Sequence, residues 1–161
     1  MAAKWITTTL LALVLACGAV TVRAETPEGQ VLNLINKERA KVGCPDLVAN
    51  PQLMEAAELH SRDMAQSNFY AHEGLDGSSP DDRMRAQGYR SRTWSENIAA
   101  GYKSAGLAVN GWMNSPGHRA NILNCRFTET GIGMTHQSND RKLAGQQNPY
   151  FYYWVNVFAR P

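Results

Sequence analysis

The chain has almost no surplus of either charge. Lysine and arginine number 16, aspartate and glutamate 14. Two of the basic residues, Lys4 and Arg23, fall in a stretch that reads as a removable leader, and the rest carries 14 of each sign. No basic run exists, and no patch of basic residues interleaved with aromatics. The phosphate-neutralising surface that nucleic-acid binding needs is therefore missing. There are no biased tracts, no internal repeat and no linker, which excludes low-complexity and disordered classes. Three catalytic signatures are absent as well. His72-Glu73 is followed by Gly74-Leu75-Asp76 and makes no zinc helix. Ser115 sits in Met113-Asn114-Ser115-Pro116-Gly117, which is no nucleophile elbow. No phosphate-cradling glycine loop follows a strand. What remains is 161 residues, 43% hydrophobic and 19% charged, enough for one compact domain.

The N-terminus reads as a secretory signal peptide. Residues 5–22 carry no charge, Lys4 precedes them, and the strongest apolar stretch is Leu10 to Ala16. Val22-Arg23-Ala24 presents small or apolar residues where a signal peptidase cuts. Cleavage there divides the chain into residues 1–24, the leader, and residues 25–161, the mature domain. Two alternatives stand beside this. One is an uncleaved anchor, although Thr7, Thr8 and Thr9 thin its apolar run. The other is a lipid anchor on Cys17, because Val14-Leu15-Ala16-Cys17 loosely resembles a lipobox. No transmembrane segment is expected in the mature chain.

Cysteine is scarce, three in all. If Cys17 leaves with the leader, Cys44 and Cys125 remain in an oxidising compartment. An even count there favours a disulfide. Two separate buried thiols are the alternative.

Along the mature chain, helix starts are marked by a capping residue followed by proline. Thr26-Pro27 opens a first helix with Val31, Leu34, Ile35 and Val42 on its apolar face, ended by Gly43. Asn50-Pro51 opens a second, carrying Leu53, Ala57, His60 and Met64 at helical spacing. Ser79-Pro80-Asp81-Asp82 opens a short third helix that Gly88 stops, with Asp82 placed as the acid of a capping box. A fourth spans Ala105 to Asn114, and His118 to Leu123 forms a further helical turn. The end of the chain changes period. Ile132 and Met134 alternate with Gly131, Gly133 and Thr135, a strand with one small-residue face. Tyr150 to Phe158 is apolar or aromatic at nearly every position, so it is a strand covered on both faces. Helices on both sides of a small sheet supply that cover.

Several short motifs occur in a fixed order. They are Asn68-Phe69-Tyr70-Ala71-His72, Asp82-Arg83 with Gly88-Tyr89, and Ser95-Glu96-Asn97-Ile98-Ala99. Trp112 to Leu123 follows, with Ser115-Pro116-Gly117-His118-Arg119 at its centre; then come Gly131-Ile132-Gly133 and Tyr153 to Ala159. The series resembles the CAP superfamily of cysteine-rich secretory, antigen 5 and pathogenesis-related proteins, most of all its bacterial secreted single-domain branch. The resemblance implies an α/β protein, an α-β-α sandwich with a small, mainly antiparallel central sheet flanked by helices and a surface cleft. In the family that cleft holds two histidines and two acids, and some members bind a divalent metal there. His72, Glu96 and His118 match three of the four positions. The second acid is replaced by Ser115, and the glycine usual before Glu-Asn is Ser95. The implied partners are a small ligand or envelope component, with lipids and sterols among the family's ligand classes.

The residues carry a chemistry of their own. Two neutral imidazoles and a carboxylate can hold a divalent ion such as zinc, weakly, with an open fourth position, and such an ion activates water. Without metal, Glu96 beside a histidine is an acid–base pair. Structural roles compete: His118 caps the turn begun at Ser115-Pro116, and Glu96 bonds backbone amides. A binding module and a metal-assisted extracellular hydrolase both follow, with a Ser115–His118 nucleophile pair as a third idea. His60 reads as a hydrogen-bonded core histidine, His136 as solvated, and Trp112 as core with an indole N–H to satisfy. Asn97 reads as holding the Glu96 loop through backbone bonds. Arg119 and Asn121 line the cleft or neighbour it.

Overall fold

The computed structural model describes residues 25–161. The expected leader, its cleavage site and Cys17 lie outside the described residues. Helix α1 runs Pro27–Ala40, strand β1 Val48–Ala49, α2 Pro51–Ser67 and α3 Pro80–Ala86. Then come β2 Thr93–Ala100, α4 Ala105–Met113, α5 Pro116–Ile122, β3 Glu129–His136 and β4 Tyr152–Arg160. The strands form one mixed sheet in the order β1-β3-β4-β2. The short β1 pairs parallel to β3, and the other two pairings are antiparallel.

The capping chemistry does what the sequence implies. Thr26 accepts from the Gly29 amide at 3.1 Å. Asn50 accepts from the Gln52 amide at 2.9 Å. Ser79 and Asp82 form a reciprocal capping box. Each satisfies amides that the first helical turn leaves without a partner. One expectation fails at the other end of α1. The helix stops at Ala40, so Val42 falls in the following turn and is 53% exposed rather than part of the apolar face.

Strand β4 divides the core in two. Tyr153, Val155, Val157 and Ala159 pack against Leu53, Ala57 and Met64 of α2. Trp154 and Phe158 point the other way, into a cluster with Val31 and Ile35 of α1 and Ala108, Val109 and Trp112 of α4. Helices thus cover both faces, which is the expected α-β-α sandwich. The small-residue face of β3 has a specific use. A Cβ on Gly131 would fall 2.0 Å from the backbone carbon of Leu53, and one on Gly133 would fall 2.4 Å from that of Ala57. Helix α2 lies directly on the strand, closer than any side chain permits.

Cys44 and Cys125 are joined in a disulfide, with Cα atoms 4.9 Å apart. Beside it lies a feature that the sequence does not suggest. Arg39 is fully buried and donates to four carbonyls, those of Pro45, Ile122, Asn124 and Phe127, at 2.8–3.0 Å. It ties the end of α1 to the segment after α5.

Candidate functional site

The site is built around β2, one of the two edge strands of the sheet. Sequence reasoning puts Glu96 and Asn97 in a loop; they lie instead in a strand paired to β4 from Thr93 to Ala100. Period-2 alternation then sends their side chains to opposite faces of the sheet. Glu96 meets the loop after α2 and helix α3. Asn97 meets α5: its Nδ2 donates to the His118 carbonyl at 3.0 Å, and its Oδ1 accepts from Asn121 at 2.8 Å. Asn97 therefore anchors the histidine helix rather than its own segment.

The Glu96 side chain is 2% exposed, yet both oxygens are satisfied. His72 Nδ1 donates to Oε1 at 2.8 Å, and Arg83 donates to Oε2 at 2.9 Å. A carboxylate only accepts here, so Nδ1 carries a proton, and in the neutral ring Nε2 is the nitrogen that keeps its lone pair. The His72 side chain is half exposed. Arg83 also donates to the carbonyls of His72 at 2.8 Å and Ser78 at 3.0 Å. It fixes both ends of the pair, a role that the Asp82-Arg83 motif signals only by its presence.

His118, half-buried in the first turn of α5, sits close enough to His72 to respond to it. Burial first, then the neighbouring His72, lowers its pKa below the ordinary histidine value. His118 and Ser115 line a cleft of about 290 Å³ whose walls are Tyr70, Tyr102 and Tyr150, with Trp112 below. Ser115 occupies the N-cap position of α5 without a side-chain capping bond. Burial, then Tyr150 and Tyr102, pushes the Tyr70 phenol up to about 12. Nothing in the sequence alone singles out the three tyrosines as cleft residues. Of the four expected cleft residues, Ser115 and His118 line this cavity; His72 and Glu96 do not, and Glu96 lies buried against His72.

Glu96, the carboxylate expected among the metal ligands, is turned to protein donors. Both Glu96 oxygens are engaged by Arg83 and His72. Among the described residues no group of three or more His, Cys, Asp or Glu side chains is placed to hold a metal ion.

The remaining residues fall into structural places. His60 is buried and its Nε2 donates to the Ala71 carbonyl at 3.0 Å, leaving Nδ1 without a partner. Burial, then Arg83, lowers its pKa. His136 is exposed and stacks on Tyr152, with ring centroids 4.5 Å apart. The Trp112 indole donates to the Ile98 carbonyl at 3.0 Å. Arg119 is exposed and lines a separate depression with Met113 and Leu123. Ser95, in the place of the family's glycine, has a buried hydroxyl with no hydrogen-bond partner.

Comparison with known proteins agrees with this architecture. Residues 32–158 match the family model described as Cysteine-rich secretory protein family. The uncharacterized protein YkwD of Bacillus subtilis is 42% identical over 112 residues, 70% of this chain and 44% of that protein. The uncharacterized membrane protein YlbC of the same organism is 37% identical over 121 residues, 75% of this chain and 34% of that protein. The chain thus spans less than half the length of these two curated relatives. Among solved structures, an extracellular protein containing an SCP domain from Bacillus anthracis superposes with a TM-score of 0.71 at 28% identity, covering 84% of this chain and 40% of that one. An outer surface protein from Borrelia burgdorferi gives a TM-score of 0.70 at 19% identity, covering 81% of this chain and 89% of that one.

Proposed function

The chain belongs to the cysteine-rich secretory protein family, and on that premise we propose that it is an exported binding module whose tyrosine-walled cleft takes a small ligand from the cell envelope. The observation that carries this reading is the cleft itself, lined by Tyr70, Tyr102, Tyr150, Ser115 and His118, with the His72–Glu96 pair held near His118. The carboxylate and Arg83 hold the imidazole in one tautomer and one orientation before any ligand arrives, which lowers the ordering cost of binding. Export is supported by the leader-like N-terminus, by the disulfide and by two structural neighbours, one described as extracellular and one as an outer surface protein. No helix among the described residues is long and apolar enough to cross a membrane.

The test is nuclear magnetic resonance of the labelled protein with a panel of small soluble fragments of mixed chemistry. Binding at the cleft perturbs the Trp112 indole, the His118 ring and the amides of Ile98 to Ala100. Perturbations confined to other faces overturn the reading.

The same pair favours a second reading, an extracellular hydrolase. A His72 imidazole with Nδ1–H on a carboxylate and Nε2 free has the arrangement of a general base. Hydrolysis of ester or amide probes that disappears in His72→Ala supports this reading. Equal background rates in wild type and variant oppose it.

A further inference from the structure

The cleft beside His118 is lined without a single Asp, Glu, Lys or Arg. Its walls are rings: Tyr70 is 38% exposed and Tyr102 37%, and Tyr70 and Tyr150 lie 5.8 Å apart at an interplanar angle of 58°. The rings are mounted, not draped. A Cβ on Gly111 would fall 2.7 Å from the Tyr102 ring, and one on Gly101, which is at φ +84°, 3.3 Å from that of Tyr150. The Tyr102 carbonyl accepts from the Trp154 indole at 2.7 Å, and the Tyr150 amide donates to Asp140 at 3.0 Å. The backbone behind both rings is therefore anchored. Between them the cavity offers phenol hydroxyls, the Ser115 hydroxyl and the His118 imidazole.

We propose, on the cleft-binding reading above, that the ligand is a neutral saccharide of one or two rings. A strongly charged ligand meets no opposite charge among the lining side chains, so its desolvation goes uncompensated. An acyl chain or sterol needs a long, continuous apolar wall, whereas this short cavity sets the Ser115 hydroxyl and the His118 imidazole among its rings, and Ile98, its one large aliphatic residue, is only 4% exposed. A pyranose fits both features at once. Its C–H face packs on the electron-rich face of a tyrosine ring, and its hydroxyls exchange hydrogen bonds with phenol, serine and imidazole. The volume of about 290 Å³ lies at the small end of ligand sites, which start near roughly 300 Å³, and so suits one or two rings rather than a long chain.

The experiment follows the Trp112 indole and the Ile98 to Ala100 amides of the exported protein while four probes are added separately: cellobiose, diacetylchitobiose, decanoate and inorganic phosphate. The expected result is saturable shifting by at least one disaccharide and none by decanoate or phosphate. Tyr102→Ala should weaken the disaccharide by about fivefold, and Tyr70→Phe, which keeps the ring, by less; circular dichroism checks that both variants fold. Shifts from decanoate or phosphate at these same resonances, without the disaccharides, overturn the saccharide assignment and leave the cleft reading standing. Shifts from any probe confined to other faces overturn both. Silence from all four probes overturns the saccharide assignment, as does disaccharide binding that Tyr102→Ala leaves unchanged.

Discussion

Glu96 and Asn97 are neighbours in the chain and serve opposite faces of the sheet. The first holds the His72 imidazole through a 2.8 Å bond, and the second holds the carbonyl of His118 at 3.0 Å. One edge strand thereby positions two histidines that lie 46 residues apart in the sequence. Neither side chain is replaceable by an apolar residue of similar size without releasing its partner. Asn97→Leu should unseat α5 and alter the cleft while leaving the His72–Glu96 bond in place. Resonances of Ser115 and His118 should move more than those of His72.

The glycines of β3 set how close α2 can come. Gly131→Ala forces a methyl group to within 2.0 Å of the Leu53 backbone, and backbone cannot swing aside as a side chain can. The expected loss is about 3 kcal/mol or more, at the upper end of overpacking effects, read from a urea unfolding curve. A loss under about 1 kcal/mol would mean that α2 can lift off the sheet at little cost.

Much of this architecture is legible in the residues. Thr26-Pro27, Asn50-Pro51 and Ser79-Pro80 mark helix starts because capping is local chemistry. Both long strands at the end of the chain announce themselves by alternation and by apolar density. Strand β2 does not, because Ser95, Glu96 and Asn97 break any apolar period. Those three polar groups are tolerated in a covered strand chiefly because His72, Arg83, His118 and Asn121 come from distant segments to meet two of them. Arg39 and Arg83 are illegible as anchors for the same reason. An arginine in a helix looks solvated until the carbonyls or carboxylate it reaches are known, and those of Arg39 include Ile122, Asn124 and Phe127, 83 to 88 residues away.

Arg39 should therefore behave as a buried tie rather than a surface charge. Arg39→Ala orphans four carbonyls, at least two of them in bonds that are fully buried. A loss of about 3 kcal/mol is expected, since hydrogen bonds from charged donors are the stronger kind and buried acceptors left alone are costly. Arg39→Lys should recover only part of it, because one ammonium cannot span the four directions that the guanidinium covers. Full stability in the lysine variant would contradict this.

Reduction of Cys44–Cys125 frees a loop whose ends are 81 residues apart. Stability should fall by about 2–4 kcal/mol, measured by denaturant titration with and without reductant. Because Arg39 already ties the same segments, reduction combined with Arg39→Ala should cost more than the sum of the two alone. Strict additivity would show that the two ties act separately.

His60 gives the fold an acid sensitivity of definite sign. Its folded pKa is lowered by burial, so the unfolded chain binds a proton more readily. Its contribution is fully present above the unfolded value of about 6.5 and declines as pH falls below it. The urea midpoint should drop between about pH 7 and pH 5, and His60→Gln should flatten that slope. An unchanged slope in the variant would assign the acid sensitivity to other groups.

The site rests on Glu96 fixing the His72 ring through Nδ1, which in the neutral ring leaves Nε2 free. Nitrogen-15 spectra of the imidazole ring read this directly, since the protonated and bare nitrogens of a neutral ring resonate far apart. At a pH where His72 is neutral, the wild type should show a pyrrole-type Nδ1 and a pyridine-type Nε2, and Glu96→Ala should show a mixture of tautomers. A wild-type ring with the proton on Nε2, or a tautomer that Glu96→Ala leaves unchanged, would contradict it.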